Sequence, residues 1–159
     1  MSSLASFFNR ISFYDGFFVY GTVHKSKVSI PNYHERFEVW FLLSKDSVEN
    51  SISTMSFEIN IYHPNIEIID NLPLIHIHIY SIDTMENNRN KSYGTAIMKF
   101  FITTLFYRSL YCDGKNILDN KYPIEVYGII DTEEDFNEVS KFYERLGFTV
   151  FGNNIYMLL

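Results

Sequence analysis

Between Leu74 and Ile82 the chain alternates strictly at first, with Ile75, Ile77 and Ile79 on one side and His76, His78 and Tyr80 on the other. A period of two predicts a β-strand whose faces meet different surroundings. The polar stretch from Asp83 to Ser92 ends it. From Gly94 to Tyr107 the period changes: Ala96, Ile97, Phe100, Phe101 and Leu105 share one helical face, and Met98, Ile102 and Phe106 widen it. Ile124 to Ile130 reads as a strand again. A helix is expected from the acidic run Asp131 to Asp135 through Leu146, because capping residues and acids suit a helix start. Gly147 stands where a left-handed residue closes a helix. Two short strands, Phe148 to Phe151 and Ile155 to Leu159, flank a Gly152-Asn153-Asn154 turn.

The first part of the chain is less regular. Ser3 to Ile11 reads as a short helix and Phe17 to His24 as a strand. Glu35 to Leu43 alternates Phe37, Val39 and Phe41 against Glu38, Trp40 and Leu42, and Thr54 to Tyr62 is a further strand stopped by His63-Pro64-Asn65. Without repeat or linker, residues 1–159 are expected to form one domain, with a divergent part at 1–73 and a more legible part at 74–159. The order of strands and helices is that of an α/β (α+β) plan.

Composition narrows the function. The 159 residues are 47% apolar, with 15 Phe and 12 Tyr, enough for a core without staples. The single cysteine, Cys112, excludes an intrachain disulfide and is expected in a loop or at a helix end. His63, and His24 with His34, lack metal-ligand spacing, so no metal is expected. A formal net charge of −6 disfavours nucleic acid as a partner. Neither a membrane-spanning run nor a secretory leader is legible, which leads to the expectation of a cytoplasmic protein without a membrane partner.

The junction Arg89-Asn90-Lys91-Ser92-Tyr93-Gly94-Thr95-Ala96 carries the chemistry. A helix start leaves backbone N–H groups unpaired and ends in a positive partial charge. A pyrophosphate satisfies both, and glycine lets it approach. Arg89 and Lys91 add charge at the same mouth, so the amides of Tyr93, Gly94, Thr95 and Ala96 can cradle phosphate oxygens.

Arg89 to Met98 resembles the coenzyme A-binding signature of the GNAT N-acetyltransferase superfamily, Arg/Gln-x-x-Gly-x-Gly/Ala opening a helix. Lys141-Phe142-Tyr143-Glu144-Arg145-Leu146-Gly147-Phe148 is similar to that superfamily's late helix, which typically ends Phe-Tyr-Glu-Lys-Leu-Gly-Phe. The likeness covers residues 74–159. Two positions depart from it: Ser92 stands at the first glycine of the signature, and Phe136 stands where the family often has an asparagine.

The resemblance implies a GNAT-like mixed, mostly antiparallel central sheet flanked by helices, with a splayed central strand pair. It implies acetyl-CoA as co-substrate and direct transfer of acetyl to a primary amine of a small molecule or a protein. The strand ending at Ile82, Asp83 and Thr84 would part from the one near Ile124 to Ile130. Pantetheine would then pair with main-chain groups around Ile82 and Thr84, while Arg89 to Ala96 hold the pyrophosphate. Tyr143 matches the family's general acid. For the base, Asp83, His78, His76, Asp131 and a water chain all remain candidates. The departures at Ser92 and Phe136 leave a binding or regulatory module as the alternative. The final strand offers an edge through which two copies could pair, so a homodimer is compatible with the sequence.

Overall fold

The structure, a computed structural model, describes residues 8–27, 30–68, 70, 72–84, 93–130 and 136–159. Four long antiparallel strands come first: β1 (Asn9–Tyr14), β2 (Phe17–Lys25), β3 (His34–Ser44) and β4 (Ser51–Tyr62), with a single 3-10 turn over Val48–Asn50. Next come β5 (Leu74–Thr84), α1 (Tyr93–Phe106), the short strands β6 (Tyr111–Cys112) and β7 (Lys115–Asn116), and β8 (Ile124–Ile129). The chain closes with α2 (Phe136–Arg145), β9 (Thr149–Phe151) and β10 (Asn154–Leu158). Eight strands form one sheet in the order β1-β2-β3-β4-β5-β8-β10-β9. Every neighbouring pair in it is antiparallel except β5 and β8, which run parallel as a crossover through a helix requires. The mixed, mostly antiparallel sheet expected from the sequence is therefore present.

One face of the sheet carries the core. Val39, Phe41, Met55, Ile59, Ile75, Ile77 and Val126 are fully buried, alternating along their strands with polar or aromatic neighbours. α1 lays Ile97, Phe101 and Leu105 on this face, where Phe57 and Phe101 meet edge to face at 4.8 Å. Each such side chain contributes roughly 1.5–3 kcal/mol through burial. α2 packs Val139, Phe142, Tyr143 and Leu146 against the same core, at the spacing of one helical stripe. Its end is a Schellman closure: Phe148 N–H donates to Tyr143 C=O, Gly147 N–H donates to Glu144 C=O, and Gly147 sits at φ +97°. No described helix is long and apolar enough to cross a membrane.

Several expectations change. Asn9 to Ile11 belong to strand β1 instead of a helix, and Phe8 precedes it outside any element; residues 3–7 of that expected helix lie outside the described residues. β1 turns into β2 through Asp15 and Gly16, both at positive φ, a two-residue turn whose twist suits a hairpin. Asp113 and Gly114 do the same between β6 and β7, so Cys112 lies in a two-residue strand and not in a loop or helix end. Phe106 is exposed, because the stripe on α1 is narrower than the sequence suggested.

Candidate active site

The parallel pairing of β5 with β8 runs from Ile75↔Ile124 to Ile79↔Gly128 and stops there, although β5 continues to Thr84. Past this point no described pairing joins the two strands, and β8 itself ends at Ile129. On its other side β5 stays paired to β4 as far as Ser53↔Thr84. The Ser53 hydroxyl donates to the Asp83 carbonyl at 3.0 Å, which turns the main chain of Asp83 toward β4. Successive residues of a strand point their main-chain groups to opposite sides, so those of Ile82 and Thr84 face the gap. Among the described residues no strand pairs with this side of β5 beyond Ile79. Gly128 marks the start of the gap on the core side, where a Cβ would come within 3.0 Å of Ile155 Cδ1.

A bulge sets which side chains frame this gap. Phe57 pairs with Ile79 but Ser56 pairs with Ser81, so Tyr80 is an extra residue with no partner of its own. The bulge moves the alternation by one place. Ile82 then follows Ile79 onto the core side, opposite buried Met55, and Asp83 follows His78 and Tyr80 onto the other face. That face is lined by polar and aromatic side chains, and no described element covers it. The Ser56 and Ser81 hydroxyls are bonded at 2.7 Å. Tyr80 OH donates to Glu58 Oε2, and Glu58 is also paired with Arg36 Nε at 2.6 Å. Burial, then the hydrogen bond to Glu58, push the Tyr80 phenol up to about 12.

The other end of the framework is the start of α1. Tyr93, Gly94, Thr95 and Ala96 form its first turn, whose amides have no intrahelical partner. The Tyr93 ring meets Phe17 edge-on at 5.4 Å, which fixes this turn at the end of the sheet where β2 begins and β5 ends. The helix start and the gap therefore open at the same end of the molecule. Arg89, Asn90, Lys91 and Ser92 lie outside the described residues, as do Asp131 to Asp135.

Tyr143 is half-buried on α2, its ring 5.7 Å from that of Phe148, and burial raises its hydroxyl above the usual phenol value. It packs on the core side of the sheet. His78 and Asp83 stand on the opposite, open side, and so does His76, whose ring is 6.4 Å from that of Tyr127. The three residues nominated for catalysis are thus divided by the sheet, Tyr143 on one side and His78 with Asp83 on the other. His78 is half-buried between Tyr80, at 4.7 Å between ring centroids, and Tyr127, at 5.3 Å. Asp83 is exposed. Tyr80, Tyr127 and Glu58 were not singled out by sequence reasoning; the break in alternation at Ser81-Ile82 was the available signal.

Cys112 is distant in role. Its S–H donates to Val23 C=O at 3.6 Å, and burial, with the Asp113 carboxylate beside it, raises the thiol above its usual value. It lines a separate cavity of about 730 Å³ beside the second half of α1, with Ile11, Phe100, Tyr107 and Tyr111. None of the gap residues borders that cavity.

No family model matches the chain, and no curated protein matches it in sequence. Among solved structures it is similar to NAA60 of Arabidopsis thaliana in complex with a bisubstrate analogue, at 10% identity over 77% of this chain and 76% of that one, with a TM-score of 0.48. It is also similar to Naa50 of the same plant in complex with the bisubstrate analogue CoA-Ac-MVNAL, at 10% identity over 75% of this chain and 70% of that one, with a TM-score of 0.46. The functional reading of this chain rests on its own strand order, its central parallel pair and its two sequence motifs.

Proposed function

We propose that this protein is an acetyl-CoA-dependent N-acetyltransferase that transfers acetyl directly to a primary amine. The observation that carries the reading is that β5 runs on to Thr84 after its last pair with β8, Ile79↔Gly128, at the end of the sheet where α1 begins. A strand that outruns its parallel partner beside an open helix start offers two complementary subsites: a strand edge for an amide-bearing arm and free amides for phosphates. The residues fit such a ligand. Ile82 and Thr84 would pair with the arm, while Tyr93, Gly94, Thr95 and Ala96, with Arg89, Asn90, Lys91 and Ser92 before them, would hold the pyrophosphate.

Acetyl-CoA, when bound, supplies the acyl group as an activated thioester. The acceptor nitrogen, after its ammonium proton is lost, bonds to the carbonyl carbon; the carbon–sulfur bond breaks, the sulfur takes a proton and the nitrogen, now part of the amide, releases its second one to water. Tyr143 would donate the proton to sulfur and regain one from water. Its environment supports the role, since burial keeps the phenol protonated until a strong enough base, the departing thiolate, appears. His78 and Asp83 remain the candidates for removing the ammonium proton, from the open side of the gap. Holding both reactants on either side of one slot supplies the orientation on which such a reaction depends.

Calorimetric titration of the protein with acetyl-CoA tests this, with dephospho-coenzyme A and adenosine as controls. Micromolar affinity that needs the pantetheine and pyrophosphate portions is expected. No binding up to millimolar concentration would replace the enzyme reading with that of a partner-binding module.

A further inference from the structure

The open sheet face beside the gap holds three aromatic rings, two of them tyrosines whose hydroxyls are tied down. Tyr80 is fixed by the hydrogen bond from its hydroxyl to Glu58, and Tyr127 by one from its hydroxyl to Asn154 Oδ1 at 3.0 Å. His78 stands between them, in ring contact with both. Their ring faces, not their hydroxyls, are what remains to a ligand; Tyr80 is 56% exposed. Among the described residues, the charges that act on Tyr80 are two acids, Glu58 and Glu38, and one base, Arg36, which is already paired with Glu58. Glu38 lies opposite Glu58 in the β3–β4 register and is exposed. Asp83 adds a further exposed acid on this face. Fixed aromatic faces in a net negative field attract a cation.

We propose that this surface is the acceptor subsite and that it selects an amine carrying a second positive charge a few carbons from the reacting nitrogen. The proposal rests on the transferase reading and deepens it. A reacting amine must give up its proton before attack, so its own charge cannot anchor it through the reaction. A second ammonium keeps its charge throughout and rests over Tyr80, His78 and Tyr127, with Glu38 and Asp83 nearby. An aliphatic diamine and a lysine-bearing peptide share this chemistry.

The chain has a single tryptophan, Trp40, and it lies on this same face, paired with Thr22 and Ser56 in the neighbouring strands. Its fluorescence reports occupancy without any turnover. The full chain, with coenzyme A present in place of acetyl-CoA, is titrated with 1,4-diaminobutane, with glycyl-lysine amide and with 4-amino-1-butanol, which lacks the second charge. Either dication is expected to bind more tightly than the amino alcohol, by roughly 3- to 30-fold; whichever binds better identifies the source. Tyr80→Leu should erase the preference, Tyr80→Phe should retain it, and Glu38→Gln should reduce it. Equal binding of all three amines, or a preference unchanged in Tyr80→Leu, overturns the proposal. Acetyl-CoA binding measured on the same protein separates the two readings. If the cofactor binds and no charge preference appears, the subsite fails and the transferase stands. If dications bind but acetyl-CoA does not, the cation subsite stands and the transferase falls.

Discussion

Ile79 and Gly128 form the last parallel pair in the sheet, and His78, Ile82 and Asp83 lie on either side of it along β5. Before that pair the sheet is continuous. Beyond it, no described strand pairs with β5 on the β8 side. Gly128 matters here because a Cβ would stand 3.0 Å from Ile155 Cδ1 and 3.6 Å from Ile79 Cβ. Gly128→Val should lower stability by about 1–3 kcal/mol through overpacking, measured by urea denaturation. It should also weaken acetyl-CoA binding, since Ile155 and Ile79 must shift beside the gap. Unchanged stability would mean that β8 and β10 have room to spare.

Tyr143→Phe should leave acetyl-CoA affinity unaltered and slow turnover by roughly 10²-fold, the lower range for losing a general acid. The ring, which packs against Phe148, is kept, so the melting temperature should hold. Full turnover in this variant would make Tyr143 a packing residue.

The Tyr80 phenol should titrate near pH 12, later than an ordinary tyrosine, visible as a late step in ultraviolet absorbance. Removing one charge by Glu58→Gln should bring that step back toward 10. A single uniform tyrosine titration in both proteins would refute the Tyr80–Glu58 bond.

At the end of the sheet away from the gap, Glu35 bonds His63 Nε2 at 2.6 Å and Lys25 Nζ at 3.1 Å. Burial alone would raise its pKa, but these two partners outweigh burial and hold the carboxyl below the usual glutamate range. A folded-state pKa below the unfolded one stabilises above the unfolded value, and that contribution is lost as pH falls through the folded one. Stability should therefore decline as pH drops below about 4.5, and less steeply in Glu35→Gln, compared by urea midpoints at pH 7 and in acid. Parallel curves for the two proteins would show that Glu35 contributes nothing to acid sensitivity.

Phe101→Ala should cost about 3–5 kcal/mol, as for other buried aromatic truncations. Phe101 is fully buried and meets Phe57 edge to face. A loss under 1 kcal/mol, read from the same denaturation experiment, would place it at the margin of the core.

The central strands and both helices were legible because one of their faces is apolar and the other is not. Ile75, Ile77 and Ile79 announce β5, and Phe37, Val39 and Phe41 announce β3, since burial on one side imposes the alternation. β1 was hidden for the opposite reason. It is an edge strand with Ile11 and Phe13 exposed, so its pattern carries little burial signal. Its turn was nonetheless written in the sequence as Asp15-Gly16, and the β6–β7 turn as Asp113-Gly114. The site was legible in its two motifs, which are local in sequence. Its open face was not, because Glu58, Tyr80 and Tyr127 come from three strands brought together by register alone. That Asp83 shares a face with His78 depends on the bulge at Tyr80, an insertion that periodicity registers only as an irregularity.

That insertion makes Tyr80 the one residue of β5 that the fold could lose without rearrangement. Deleting it would leave Ser81 opposite Ser56, Ile82 opposite Met55 and Asp83 opposite Thr54 in an unbroken ladder, so Ile82 would stay on the core side and Asp83 on the open side. What would go is the Tyr80 ring and its bond to Glu58. A single-codon loss at this place can therefore strip the open face of an aromatic ring while sparing the core, which makes the ring a dispensable ornament of the strand in folding terms and leaves its retention to the ligand.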